Sequence, residues 1–240
     1  MSISIGAICV RGGSVGVAEK NERDFLGKSL VERAINFAQT LPQIDRVICS
    51  TDSERIADIA LKCGADVPEL RPEVLSSSDA AKPDVWRYII ENSASWFGES
   101  INLFCDFDAT NPIKSVLHFN HLYEVVQNSS RYDGALLIKH ARKNPYFNLL
   151  EVESELGKLV ISKRSDGVSK VVARQHAPPV FEHIASMYVL RPDYILQAET
   201  LFSGNLYGFE VPEQFSFDID SEFDWGLLEY LYTKYVDDKI

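Results

Sequence analysis

Apolar and polar positions alternate along this chain with two different periods. Short apolar runs at residues 4–10, 46–50, 101–107 and 135–138 end in turn-forming residues, which is how a strand covered on both faces reads. Between them, apolar residues recur every three or four positions over 29–40, 53–63, 83–95 and 116–126, and that spacing predicts amphipathic helices. Strands alternating with helices imply an α/β fold, a doubly wound and mostly parallel sheet. After residue 138 the pattern changes. Segments 149–153, 158–161 and 168–172 read as short antiparallel strands around turns at 155–157 and 165–167. Residues 139–185 are therefore expected to form a small β-rich insertion within a single domain, 1–240. An ordinary β-meander carrying a surface Arg174-Gln175 pair is the plainer reading of that segment.

The first apolar run leads straight into Arg11-Gly12-Gly13-Ser14-Val15-Gly16, with Lys20-Asn21 close behind. Glycines can take positive φ and carry no Cβ, so several backbone N–H groups could converge on phosphate oxygens while Arg11 and Lys20 supply charge. That is the chemistry of a nucleoside triphosphate site. The same residues would also serve as a tight strand-to-helix turn with two solvated cations, and neither G-x-x-x-x-G-K-[ST] nor G-x-G-x-x-G is present. On the residues alone both readings stand. Ligands of doubly wound sheets gather beyond the carboxyl ends of the strands, where this loop, residues 50–52 and Asp108 would all emerge.

Asp218-Ile219-Asp220 is a second constellation. In an extended segment the two carboxylates share one side, and Mg²⁺ is commonly held by one or two carboxylates plus substrate phosphates. A solvated acidic pair is the alternative, although flanking Phe215, Phe217 and Phe223 suggest a buried segment where unpaired carboxylates are costly. Asp224 falls in the first turn of the last helix and suits capping. Asp106-Phe107-Asp108 could be the D-x-D metal site of a nucleotide-sugar glycosyltransferase, or Asp108 could cap the following helix.

A formal charge of -11 argues against general affinity for nucleic acid or anionic membrane, so a nucleotide must be held by local cations. Cys9, Cys49, Cys63 and Cys105 show no C-x-x-C spacing and read as reduced, buried thiols. The start lacks a basic segment and cleavage site, and no apolar stretch approaches about 18 residues, so a cytoplasmic protein is expected. His118 and His121 read as a solvated helix face. His140 and His176 lie near proposed pocket segments without a fixed role, and Tyr230, Tyr232 and Tyr235 read as helix packing against the sheet.

Several blocks in order carry a resemblance. They are Arg11-Gly12-Gly13-Ser14-x-Gly16 with Lys20-Asn21, Ser50-Thr51-Asp52-Ser53-Glu54-Arg55-Ile56-Ala57, Leu70-Arg71-Pro72-Glu73, Asp108-Ala109-Thr110-Asn111-Pro112, Arg174-Gln175, and Phe217-Asp218-Ile219-Asp220-Ser221-Glu222-Phe223-Asp224. Together they resemble the acylneuraminate cytidylyltransferases, which make CMP-activated sialic acids. Asp106 to Thr110 and Arg142-Lys143-Asn144-Pro145-Tyr146-Phe147-Asn148-Leu149 are most similar to the branch that activates legionaminic acid, a bacterial 5,7-diamino relative.

The resemblance implies a Rossmann-like nucleotidyltransferase in which the anomeric hydroxyl of a nine-carbon 2-keto sugar acid attacks the α-phosphorus of CTP and expels pyrophosphate. Arg11, Gly12, Gly13, Ser14, Lys20, Asn21, Arg71, Asp79 and Ala80 would hold the nucleotide. Arg11, Lys20, Asp218 and Asp220 would be catalytic, the two aspartates binding Mg²⁺ or another divalent cation. Asp108, Tyr146, Phe147, Arg174 and Gln175 would shape the sugar-acid pocket. In the family the insertion builds a homodimer, so Arg174 and Gln175 would act in trans. Three positions depart from the pattern. Asp108 replaces a glutamine, Val15 replaces a lysine, and Ile184 replaces an asparagine that presents its amide to substrate. Lys82 or His183 would have to compensate for Ile184, or the chain is a noncatalytic relative that binds CTP.

Overall fold

In the computed structural model, which describes residues 2–13, 16–77, 80–153, 157–163 and 173–236, each predicted strand and helix of the first 138 residues forms. The chain runs β1 (Ser2–Cys9), β2 (Asp24–Phe25), β3 (Lys28–Ser29), α1 (Leu30–Gln39), β4 (Arg46–Ser50), α2 (Glu54–Lys62), α3 (Lys82–Phe97), β5 (Ser100–Phe107), α4 (Val116–Gln127) and β6 (Gly134–His140). It continues through β7 (Leu150–Val152), β8 (Leu159–Ile161), β9 (Phe181–Leu190), α5 (Pro192–Gln197), β10 (Leu206–Glu210) and α6 (Glu222–Tyr235). Serine caps fix the starts of α1 and α2. Ser29 and Glu32 form a capping box on α1, and the Ser53 side chain accepts from the Ile56 amide.

The main sheet has the order β10-β6-β9-β5-β1-β4. Five of its strands are parallel, and β9 runs against both neighbours, β5 and β6. Strand β9 was not anticipated, since Glu182, His183 and Ser186 interrupt its apolar run. It also carries an irregularity: Leu136 of β6 faces Tyr188, yet the next residue, Leu137, faces Ile184. The residues skipped over bend toward the end of β5, where the Ser186 carbonyl accepts the Asp108 amide at 2.9 Å.

Alternate strand residues fill two cores. Ile8, Leu103, Phe107, Leu137 and Val189 meet α1, α2, α4 and α6, while Ile5, Ala7, Phe104 and Leu190 meet Trp86 and Ile89 of α3 and Ile195 of α5. Each sheet face is therefore sealed by helices, and the free ends of the parallel strands are left for chemistry.

Strands β7 and β8 form the predicted antiparallel hairpin, with Leu150, Val152 and Leu159 exposed. Segment 168–172, the turn at 165–167 and part of the turn at 155–157 lie outside the described residues. Three smaller expectations are corrected. His118 and His121 are half-buried, not a solvated face, because their rings pack on Phe209 and Phe215 and His121 shares a hydrogen bond with Tyr207. Of the three late tyrosines, Tyr232 packs edge-on to Phe25 under Arg33, while Tyr230 and Tyr235 are exposed. All four cysteines are free, but only Cys49 and Cys105 are buried. Among the described residues no helix is long and apolar enough to cross a membrane.

Candidate active site

Strand β1 delivers Cys9, Val10 and Arg11 to the carboxyl edge of the sheet, where the glycine loop turns over the ends of β4 and β5. The Gly12 amide donates to Asp52 Oδ1 at 2.9 Å, tying the loop to the end of β4. Asn21, almost fully buried, donates Nδ2 to the Arg11 carbonyl at 3.1 Å and staples the two ends of the loop together. Arg71 is held from behind: Nη2 donates to the Val10 carbonyl at 2.9 Å and Nε to Ser76 Oγ at 3.2 Å.

Among the described residues, none of the loop glycines takes positive φ. What they permit is close approach, since a Cβ on Gly12 would meet Ser53 Cβ at 2.9 Å and one on Gly16 would meet the Asp220 carbonyl oxygen at 1.9 Å. Gly16 thus touches the backbone of the acidic segment across roughly 200 residues of sequence. Lys20 makes the same crossing, donating Nζ to the Ile219 carbonyl at 2.6 Å and lying 3.4 Å from Asp220 Oδ1. The segment is fastened on its other side by Ile219 N–H to the Thr110 carbonyl at 2.9 Å and by Asn111 Nδ2 to the Phe215 carbonyl at 2.9 Å.

Ile219 is fully buried while Asp218 and Asp220 are exposed, so the alternation predicted for this segment holds. The burial expected from its flanking phenylalanines does not: Asp220 is 76 % exposed, and Phe223 faces solvent. Crowding by protein atoms, and next the neighbouring Asp220 carboxylate, raise the Asp218 pKa above the usual carboxylate value. Two hard, mutually repelling oxygen donors on one side of a strap suit a divalent cation that completes its shell with water and phosphate. No group of three or more histidine, cysteine, aspartate or glutamate side chains with metal-holding geometry occurs among the described residues. Asp224 caps α6, its carboxylate accepting the Ser221 amide and hydroxyl, as expected.

These groups enclose a cavity of about 410 Å³ lined by Arg11, Gly13, Gly16, Lys20, Asn21, Arg71, Ala80, Lys82, Asp108 and Asp220, with Cys9, Val10, Leu75, Ser77, Val85 and Thr110 completing the wall. Four cations therefore line one hollow of an otherwise acidic chain. Asp108 does not cap α4. Its Oδ1 accepts the Thr110 amide and hydroxyl, and its Oδ2 lies 2.7 Å from Lys82 Nζ. Burial pushes this carboxyl up, but the Lys82 ammonium and the Thr110 donors outweigh it and hold its pKa at about 2. A folded-state value below the unfolded one means that Asp108 contributes stability above about pH 4, lost as pH falls through about 2. Asp108→Asn is accordingly expected to flatten that acid limb of the unfolding profile, followed by circular dichroism. An unchanged limb would show that the contribution lies elsewhere.

Ser14, Val15 and Asp79 lie outside the described residues, and of Arg174 only the backbone is described, in a short 3-10 turn. Tyr146, Phe147 and Gln175 are not among the residues lining the cavity, and neither are His140, His176 and His183. Ile184 is buried in the α1-side core opposite Leu137, so its side chain packs the sheet and does not face the cavity. Lys82, named only as a possible compensator, is the residue that sequence reading undervalued. Its position at the start of α3, just after Ala80-Ala81, was the available signal.

A largely parallel α/β sheet with a cation-lined hollow at its strand ends and an acidic strap closing on a glycine loop defines a nucleotidyltransferase. The cytidylyltransferase family model matches residues 5–224, and the chain belongs to that family. It is 36 % identical over 232 residues to the post-translational flagellin modification protein B of Campylobacter coli, covering 96 % of this chain and 95 % of that one. It is 35 % identical over 224 residues to the CMP-N,N'-diacetyllegionaminic acid synthase of Campylobacter jejuni subsp. jejuni serotype O:2, covering 93 % and 92 %. Among solved structures, a CMP:2-keto-3-deoxy-manno-octonic acid synthetase complexed with CTP superposes with a TM-score of 0.70 over 98 % of this chain and 100 % of that chain, at 14 % identity. That likeness shows the shared fold.

Proposed function

We propose that this enzyme transfers CMP from CTP to the anomeric hydroxyl of a nonulosonic acid of the legionaminic or sialic type, releasing pyrophosphate. The observation that carries the reading is the contact of Gly16 and Lys20 with Ile219 and Asp220, which brings the Asp220 carboxylate into the cavity lined by the phosphate-binding cations, with Asp218 outside that lining. Similarity over nearly the whole chain to a CMP-N,N'-diacetyllegionaminic acid synthase supports the sugar class.

In this reading the triphosphate lies along residues 11–20, with Gly12, Gly13 and Ser14 offering it close backbone approach. Arg11 and Lys20 offset the charge that builds on the departing pyrophosphate. Lys20 is suited to this because the Ile219 carbonyl holds its ammonium in place before substrate arrives. Arg71, Asn21, Asp79 and Ala80 frame the cytosine and ribose. Arg71 and Asn21 are themselves anchored to the backbone of residues 10 and 11, so base recognition is built on the same strand end as phosphate recognition. Mg²⁺ or another divalent cation held by Asp218 and Asp220 would supply Lewis acidity to the reacting hydroxyl and phosphate.

The sugar acid meets Asp108 from within the chain and Tyr146, Phe147, Arg174 and Gln175 from the excursion between β6 and β9. Of these, Arg174 and Gln175 work in trans in a homodimer, a reading supported by the exposed apolar edge of Leu150, Val152 and Leu159. Four free thiols suit a cytoplasmic setting. A D-x-D glycosyltransferase is less well supported, because the Lys82 ammonium already sits against both Asp106 and Asp108.

The deciding experiment measures pyrophosphate release with CTP and Mg²⁺ across legionaminic, sialic, pseudaminic and 3-deoxy-octulosonic acids. Turnover selective for the 5,7-diamino or sialic class is expected. CTP binding without release for any acid would overturn the reading and leave a noncatalytic nucleotide binder. In the same assay, mixing inactive Asp220→Ala chains with inactive Gln175→Ala chains is expected to restore activity, and no restoration would exclude sites shared between subunits.

A further inference from the structure

Asp106 is the most demanding polar residue in the molecule. It is fully buried in β5, and among the described residues its carboxylate has one ion pair and, beyond it, only the weak hydrogen bond of the Cys9 thiol. That ion pair is with Lys82, whose ammonium lies 2.6 Å from Asp106 Oδ2 and 2.7 Å from Asp108 Oδ2. The rings of Tyr188 and Trp86 back it at 4.9 Å and 5.7 Å. One ammonium thus serves two carboxylates that project from the same side of a strand end. The geometry is that of a cation site. Ca²⁺ sits about 2.3–2.6 Å from carboxylate oxygens and Mg²⁺ about 2.0–2.1 Å, so a shift of a few tenths of an ångström would turn this nitrogen position into a metal position.

We propose that Lys82 is a built-in cation occupying the metal position of the Asp106–Asp108 pair, a positioning residue that holds Asp108 at the cavity wall and confines divalent metal to Asp218 and Asp220. A tethered ammonium is present whatever the metal concentration, and it brings one positive charge where a metal would bring two. Held against this ammonium, Asp108 stays available to accept hydrogen bonds from neutral sugar groups. The catalytic meaning of this arrangement rests on the proposed cytidylyl transfer. The occupancy of the cation position does not, and it is tested without nucleotide or sugar.

The probe is Mn²⁺, counted by electron paramagnetic resonance on full-length chain carrying Asp218→Ala and Asp220→Ala. With Lys82 present, no tight Mn²⁺ is expected. Adding Lys82→Ala is expected to create a site for about one Mn²⁺ per chain, lost again on Asp106→Asn or Asp108→Asn. Should the Lys82→Ala chain be unstable alone, Mn²⁺ is expected to raise its thermal midpoint and to leave the Lys82→Ala/Asp106→Asn chain unmoved. A Lys82→Ala chain that neither binds Mn²⁺ nor responds thermally would overturn the proposal, as would Asp108-dependent binding with Lys82 still in place. Failure of cytidylyl transfer would change none of these titrations, so the two readings fail separately.

Discussion

Replacing Asp220 by alanine is expected to lower CTP-dependent pyrophosphate release by about 10²–10³-fold, the scale on which a preorganised charge at a reacting centre acts. The fold should hardly notice. The side chain is 76 % exposed, and its charged contact with Lys20 at 3.4 Å is of a kind worth about 0–1 kcal/mol. Lys20 would keep its stronger bond to the Ile219 carbonyl, and the backbone amide of residue 220 would keep its bond to Asp224. Asp218→Ala should act alike, and the double variant should be little worse than either single one, because residues that act as a unit are not additive. The check is kcat/KM for CTP beside a thermal melt. Full activity in Asp220→Ala would remove the acidic strap from the chemistry, and loss of activity with loss of fold would make its role structural.

Gly16→Ala should be as damaging for a different reason. The new Cβ would sit 1.9 Å from the Asp220 carbonyl oxygen and 3.1 Å from its carbon. A backbone oxygen cannot rotate out of the way, so loop and strap must separate by more than an ångström. A displacement of that size between reacting groups costs about 10²-fold in rate, and overpacking of this kind costs about 1–3 kcal/mol of stability. Gly13→Ala is the matched control, since nothing lies within 4 Å of its Cβ position. It is expected to fold and melt like the parent chain. Melting of the pair separates close approach from glycine content: a Gly16→Ala chain as stable as Gly13→Ala would show that the Gly16 contact with the strap is dispensable.

Much of the fold was legible because it is local. Serines at 29, 53 and 221 mark helix starts through a hydrogen bond made within three residues, and the apolar periods of α1 and α2 name the faces that become buried. Strand β9 was not legible. A strand in mid-sheet is recognised by its partners, and Glu182, His183 and Ser186 break the apolar run that would have marked it.

The candidate site divides the same way. Residue types and short spacings exposed the glycine loop, the Asp218-Ile219-Asp220 alternation and the Asp224 cap. They misjudged the backbone conformation of the loop glycines, how open the acidic pair is, and what Lys82 does. By itself the sequence determined the α/β class, the capped helices and the inventory of charged and glycine residues, because backbone preference and amphipathic period act over a few neighbouring residues. Only the tertiary structure decided that Gly16 meets Asp220 and that Lys82 meets Asp106 and Asp108. Those encounters depend on which strand ends share an edge, and a period along the chain says which face is buried but not which distant segment buries it.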